Sequence, residues 1–138
     1  MSGPAGILVI DDNPADVRLI QEAVKLLERP VKVFSVSTGD EAIRFLHREQ
    51  PFSDVPEPHL IFLDFNLPQT NSREVLRKIK SDIGLRHIAV AILTSSSYLQ
   101  DIEDAYALEA NCYLIKPQTL EDFFHTIGSA TRFWLNRA

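Results

Sequence analysis

Short apolar runs rich in β-branched residues alternate along the chain with stretches whose apolar positions recur at helical spacing. The run Ile7–Ile10 has no polar interruption, the pattern of a strand buried on both faces. It stops at Asp11-Asp12, and Asn13-Pro14 then supplies a helix N-cap and a proline suited to the first helical position. Val17, Ile20, Val24 and Leu27 follow at helical spacing until Pro30 closes the segment. Val31–Val36 predicts a second strand, Ser37-Thr38-Gly39 a turn, and Asp40 to Glu49, carrying Ala42, Ile43, Phe45 and Leu46, a short second helix. Gln50 to His59 contains Pro51, Pro56 and Pro58 and reads as a long loop.

The same alternation continues to the end of the chain. Leu60–Leu63 is a third strand ending at Asp64, and the loop Phe65 to Asn71 leads into a helix over Ser72–Lys80 with Val75, Leu76 and Ile79 inward. Ala89–Leu93 is a fourth strand, followed by Thr94 and a Ser95-Ser96-Ser97 turn, and Leu99–Glu109 a fourth helix. Cys112–Ile115 is a fifth strand ending at Lys116-Pro117. The last helix, Leu120–Trp134, places Leu120, Phe123, Phe124, Ile127, Thr131 and Trp134 on one face and leaves Phe133 off it, a candidate subunit contact. Five β-α units in strict alternation predict an α/β doubly wound fold, a parallel sheet with helices on both faces. Ligands of such folds bind outside the carboxyl ends of the strands, so chemistry is to be sought there.

Composition narrows the class. A length of 138 residues suits a single domain over 1–138, large enough to bury roughly 68% of its unfolded surface without a disulfide or metal staple. Hydrophobic residues at 45% and charged residues at 24% exclude a disordered tail, a collagen-like rod and a disulfide scaffold. The longest apolar runs, such as Ala89–Leu93, fall far short of the ~20 residues that cross a bilayer, and Met1–Gly6 lacks the basic region of a secretory signal. The single cysteine, Cys112, has no internal partner, which suits a reducing cytosol and an inert core thiol. A net charge of −5 argues against nucleic acid as a direct partner. His47, His59, His87 and His125 show no metal-ligand spacing and suit solvated or capping roles.

The residues that follow the strands are Asp11, Asp12, Asp64, Thr94 and Lys116. A lone aspartate at a strand end is most often a helix cap, and Asp11-Asp12 could serve the first helix so, although Asn13 already fills that place. Three carboxylates on one rim repel unless a cation intervenes. All-oxygen ligands favour a hard cation, and Mg²⁺ keeps waters while using one or two carboxylates. A lysine and a hydroxyl beside them suit phosphoryl oxygens, and Asp64 could be the nucleophile that forms an acyl phosphate.

Asp11-Asp12, Asp64 followed by Leu67-Pro68, Thr94 and Lys116-Pro117 together resemble, in order and spacing, the receiver domain of two-component response regulators, over about Ile7 to Trp134. The resemblance implies a flavodoxin-like receiver fold with strand order 2-1-3-4-5 and a signalling domain, not an enzyme beyond slow self-phosphorylation and autodephosphorylation. It implies Asp64 as phosphoacceptor, Asp12 as a direct Mg²⁺ ligand, Asp11 as holder of a metal-bound water and the Asn66 backbone carbonyl as a further ligand. Thr94 and Lys116 resemble the switch hydroxyl and the phosphate-binding lysine, Tyr113 the aromatic whose rotamer reports activation, and Lys116–Pro117 a cis bond. The implied partner is a sensor histidine kinase. A homodimer through the fourth helix, fifth strand and fifth helix is a further expectation, with Tyr106 and Phe133 as apolar contacts. One departure is Ser72, where the family usually has glycine; a left-handed Asn71 could preserve that turn. No output domain follows the last helix, and the Pro-rich loop, Asn111-Cys112-Tyr113-Leu114 and Phe133-Trp134-Leu135 are similar to the small regulators that partner phytochrome-type kinases.

Three other readings compete. A haloacid-dehalogenase-type phosphatase also uses a strand-end aspartate and Mg²⁺, but needs a second aspartate where Asn66 stands. A pseudo-receiver would bind partners without phosphorylation. A flavodoxin-like cofactor binder would need a phosphate loop after the first strand, and none is present.

Overall fold

The computed structural model describes residues 5–136. Its elements are β1 (Ala5–Ile10), α1 (Pro14–Lys25), β2 (Val31–Val36), α2 (Gly39–Leu46), β3 (Leu60–Leu63), α3 (Ser72–Ser81), β4 (Ala89–Thr94), α4 (Leu99–Ala107), β5 (Cys112–Ile115) and α5 (Leu120–Leu135). All strand pairs are parallel and lie in the order β2-β1-β3-β4-β5, the doubly wound arrangement the resemblance implied. β1 begins before the apolar run, taking Ala5 and Gly6 from the expected N-terminal lead; Met1 to Pro4 lie outside the described residues.

Alternation of strand side chains sorts the sheet into two cores. Leu8, Ile10, Ile61, Leu63, Val90 and Ile92 meet Phe45, Leu76 and Ile79 on one face. Ile7, Val9, Leu60, Phe62, Ala91 and Leu93 meet Ile20, Val24, Phe123 and Ile127 on the other. Because the period is two, a one-residue slip of any central strand would exchange its two faces, and two buried faces therefore specify the register strongly. That register pairs Ile10 with Leu63, Leu63 with Ile92 and Thr94 with Ile115. The residues just beyond these strands consequently share one rim.

Among the described residues, four of the five helix starts follow capping chemistry, and only α4, at Tyr98, has no side-chain cap. Asn13 caps α1 by accepting from the Ala15 and Asp16 N–H groups, with Pro14 as the first helical residue. The expected Ser37-Thr38-Gly39 turn is instead the entry to α2: Thr38 is the N-cap, accepting from Glu41 N–H, and Glu41 accepts in return from Ser37 N–H. The ends of α2 and α4 fall short of expectation for one reason. The periodic apolar pattern runs on to Glu49 and Glu109, but Arg48 (φ 56°) and Glu109 (φ 72°) take left-handed conformations that break the helical path without a glycine to mark it.

Three placements on the periphery depart from the sequence reading. Leu120, expected inward, is 56% exposed because it opens α5 before the first turn has reached the sheet. Cys112 is half-buried, not fully buried, with its thiol pushed up by that burial. The cis X–Pro bond among the described residues is Gln50–Pro51, and Lys116–Pro117 is not one.

Candidate functional site

Asp64 follows β3 directly, and its N–H donates to the Ile10 carbonyl at 3.1 Å, one step beyond the ladder. The residue is held at three further points. Its Oδ1 accepts from Asn66 N–H at 2.8 Å, its Oδ2 from Lys116 Nζ at 2.8 Å, and its carbonyl from the Ser72 hydroxyl at 2.7 Å. Ser72 is buried as the first residue of α3, with Asn71 as an N-cap at φ −84° accepting from Glu74 N–H. The left-handed turn expected at Asn71 is therefore absent, and the serine has a use no glycine could fill.

Asp11 occupies the equivalent position after β1. It is buried, its Oδ1 accepts from Asn13 N–H at 2.9 Å, and its Oδ2 accepts from Lys116 Nζ at 3.1 Å. Burial pushes its carboxyl above the ordinary value of 3.8, against the opposing Asn13 hydrogen bond and the Lys116 charge. Asp12, its neighbour, is exposed and is not a partner of Lys116. Lys116 itself follows β5, and its N–H donates to the Thr94 carbonyl at 2.8 Å, which fixes the start of the side chain. The ammonium also donates to Asp16 Oδ2 at 2.7 Å, a contact no sequence pattern pointed to. The cation required between crowded carboxylates is, in this arrangement, the protein's own lysine.

Thr94 is completely buried at the end of β4, and its hydroxyl accepts from the Asn66 side-chain amide at 3.0 Å. The resemblance implies a role for the Asn66 carbonyl alone, whereas the structure also uses its amide, which joins Thr94 to the loop after Asp64. A side-chain amide does not titrate near neutral pH, so Asn66 cannot be the general acid that a dehalogenase-type phosphatase needs. Tyr113 stands half-buried on β5, donates its hydroxyl to the Ser96 carbonyl at 2.9 Å and sets its ring edge-on to Phe65, 6.2 Å between centroids. The Arg73 guanidinium lies over the same Phe65 ring at 5.0 Å and donates to Asp101 and Asp104 of α4. Ser96 donates to Asp101 in turn. A chain of contacts thus runs from the residue beside Asp64 to the start of α4.

The loop between Asp64 and α3 is also tied sideways. Gly39 N–H donates to the Thr70 hydroxyl at 3.0 Å, and a Cβ at Gly39 would stand 2.6 Å from Val75 Cγ2 and 2.8 Å from Thr70 Cγ2. Only glycine lets α2 approach so closely.

Three of the four histidines take polar partners away from this rim. His47 bonds Asp82 at 2.8 Å, His87 bonds Glu57 at 3.0 Å, and His59 Nδ1 accepts from Gly6 N–H at 3.2 Å. Among the described residues no three carboxylate, imidazole or thiol groups are arranged as a metal cage. The rim nevertheless offers oxygen donors only, and a hard cation that keeps its waters needs one or two carboxylates. Asp12 and Asp64 with the Asn66 carbonyl are a donor set of that chemistry.

A doubly wound sheet of order 2-1-3-4-5 with a lysine-bound aspartate at its carboxyl rim defines a class, and the chain belongs to it: residues 7–128 match the response regulator receiver domain family. It is thus a receiver domain of two-component response regulators. Among individual relatives, it is 38% identical over 132 residues to the response regulator Rcp1 of Synechocystis sp., spanning 96% of this chain and 90% of that one. It is also similar to the solved structure of the phosphorylated cyanobacterial phytochrome response regulator RcpA, with 40% identity, a TM-score of 0.92 and coverage of 99% and 97% of the two chains. The Mn²⁺-bound form of Rcp1 superposes with a TM-score of 0.89 at 37% identity over 98% and 97%. No helix among the described residues is long and apolar enough to cross a membrane.

Proposed function

We propose that Asp64 is the phosphoacceptor of this receiver, taking a phosphoryl group from a histidine of a sensor kinase with Mg²⁺ bound by Asp12, Asp64 and the Asn66 carbonyl, and Asp11 holding a metal-bound water. The observation that carries it is the Lys116 ammonium on the Asp64 carboxylate at the sheet's carboxyl rim. In the transfer, an Asp64 Oδ attacks phosphorus as the phosphorus–nitrogen bond to the kinase imidazole breaks, and the electron pair stays on that nitrogen. Bound Mg²⁺ would neutralise the charge gathering on the phosphoryl oxygens. Lys116 supplies a fixed positive charge to another of those oxygens, and Asn66 N–H holds the acceptor in register.

Thr94 is the residue we assign to sensing. Its hydroxyl leaves Asn66 for a phosphoryl oxygen, and the space this opens reaches Tyr113 on the neighbouring strand. The surface that responds is the α4–β5–α5 face, where Tyr106, Ile115 and Phe133 are about half exposed, and which we assign to partner or self-association. A phytochrome-type kinase as donor is supported by the phytochrome response regulator among the solved structures this chain is similar to.

Incubation of the full chain with acetyl phosphate and Mg²⁺, followed by intact-mass measurement, tests the assignment. Wild type should gain one phosphoryl group and Asp64→Asn none. Labelling that persists in Asp64→Asn, or no labelling of wild type, would overturn it.

A further inference from the structure

An ammonium has three N–H donors, and Lys116 has a carboxylate for each: Asp16 at 2.7 Å, Asp64 at 2.8 Å and Asp11 at 3.1 Å. Nothing is left over for a phosphoryl oxygen. The three partners are not equally held. Asp64 is the proposed acceptor, and Asp11 is buried and bonded a second time by Asn13 N–H at 2.9 Å. Asp16 stands on the first turn of α1 with a side chain 20% exposed, against 3% for Asp11.

We propose that Asp16 is a built-in competitor for Lys116, an internal anion that occupies the ammonium until a phosphoryl group displaces it and that weakens the site's hold on that group. The inference rests on Asp64 as phosphoacceptor. Phosphorylation removes the negative charge of the Asp64 carboxylate and brings an anion of about −1.5 to −2. For Lys116 to reach a phosphoryl oxygen while keeping its other partners, one carboxylate must let go. Releasing Asp11 would strand a buried charge, which is costly. Releasing Asp16 lets a surface side chain turn to water, which costs little. Should the phosphoryl oxygen instead take the Asp64 place on the ammonium, the Asp16 charge still stands beside a multiply charged anion. Both routes give the same sign: a carboxylate at this position opposes phosphoryl binding.

The test is calorimetric titration of the full chain with beryllofluoride in Mg²⁺, beside thermal midpoints with and without it. Asp16→Asn removes the charge at constant size and should bind beryllofluoride on the order of tenfold more tightly. Its midpoint without ligand should fall as one Lys116 bond weakens, while the rise on adding ligand grows. A residue with only a structural role would lower both midpoints together. Asp16→Ala should repeat the gain, and Asp16→Glu, which restores the charge, should return affinity toward wild type. Unchanged or weaker binding in both Asp16→Asn and Asp16→Ala, with wild type binding normally, overturns the competitor role alone. Wild type that takes neither beryllofluoride nor acetyl phosphate overturns the Asp64 assignment and this inference with it.

Discussion

Two cations in the molecule each gather aspartates from neighbouring elements, and they do so in opposite surroundings. Lys116 draws in Asp11, Asp16 and Asp64 from the ends of β1 and β3 and the start of α1, with its side chain 12% exposed. Arg73 of α3 draws in Asp101 and Asp104 of α4 with its side chain 36% exposed. In the first cluster water is largely excluded, so the surplus of carboxylate over ammonium is felt at full strength and favours a further cation or a change of partner. In the second, solvent screens the charges and the planar guanidinium fixes geometry more than it stores energy. The buried cluster is poised for a change of partner, and the exposed one holds α4 against α3.

Removing the cations separates the two most sharply. Lys116→Met should strand Asp11 and Asp64 without compensation and cost about 3 kcal/mol or more in a urea unfolding experiment. A loss below about 1 kcal/mol would show that the two clusters are energetically alike.

The pH dependence should divide them next. Burial alone would lower the Lys116 titration, but hydrogen bonds to Asp16 and Asp64, with the Asp64 and Asp11 charges, hold it above its ordinary 10.5. A base raised by folding contributes in full below its unfolded value, and the contribution is lost as pH rises past 10.5. The stability gap between wild type and Lys116→Met should therefore narrow at alkaline pH. Asp101 is held below its ordinary 3.8 by the Ser96 and Arg73 hydrogen bonds, and Asp104 likewise by Gln100 and Arg73. Their contribution is present above that value and is lost as pH falls through the lowered range. Asp11, raised by burial, runs the other way, and stability falls as pH rises through its titration. The gap between wild type and Arg73→Gln should accordingly close on the acid side, and an alkaline closure there would contradict the comparison.

Arg73→Gln has the smallest expected effect, about 1 kcal/mol or less at low ionic strength. Salt near 1 M, where the screening length is about 3 Å, should remove most of it and leave the Lys116→Met loss largely intact.

The sheet and the residues that end its strands were legible because continuous apolar runs followed by a polar stop are local signals. Strand order was legible only through the family pattern of Asp11-Asp12, Asp64, Thr94 and Lys116. Asp16 was not legible, because an acidic residue in a first helical turn already has a local explanation in the helix dipole, and its partner lies 100 residues away. Arg73 escaped notice for a similar reason: on an amphipathic helix it reads as a solvated charge, and only the packing of α3 beside α4 gives it Asp101 and Asp104. Ser72 looked like a defect in a turn because the hydroxyl's acceptor, the Asp64 carbonyl, is a main-chain atom that no residue pattern displays. The ends of α2 and α4 were overrun because Arg48 and Glu109 terminate helices without the glycine that usually marks such a site.

The Gly39 amide gives the acceptor loop a built-in reporter. A first-turn helical N–H is ordinarily left to solvent or to its own cap, whereas this one ends on the Thr70 hydroxyl, 31 residues along the chain. Its exchange with deuterated solvent thus reports how often the segment carrying Thr70 separates from the start of α2. A single backbone resonance, remote from the phosphorylation chemistry, would then count openings of that loop directly.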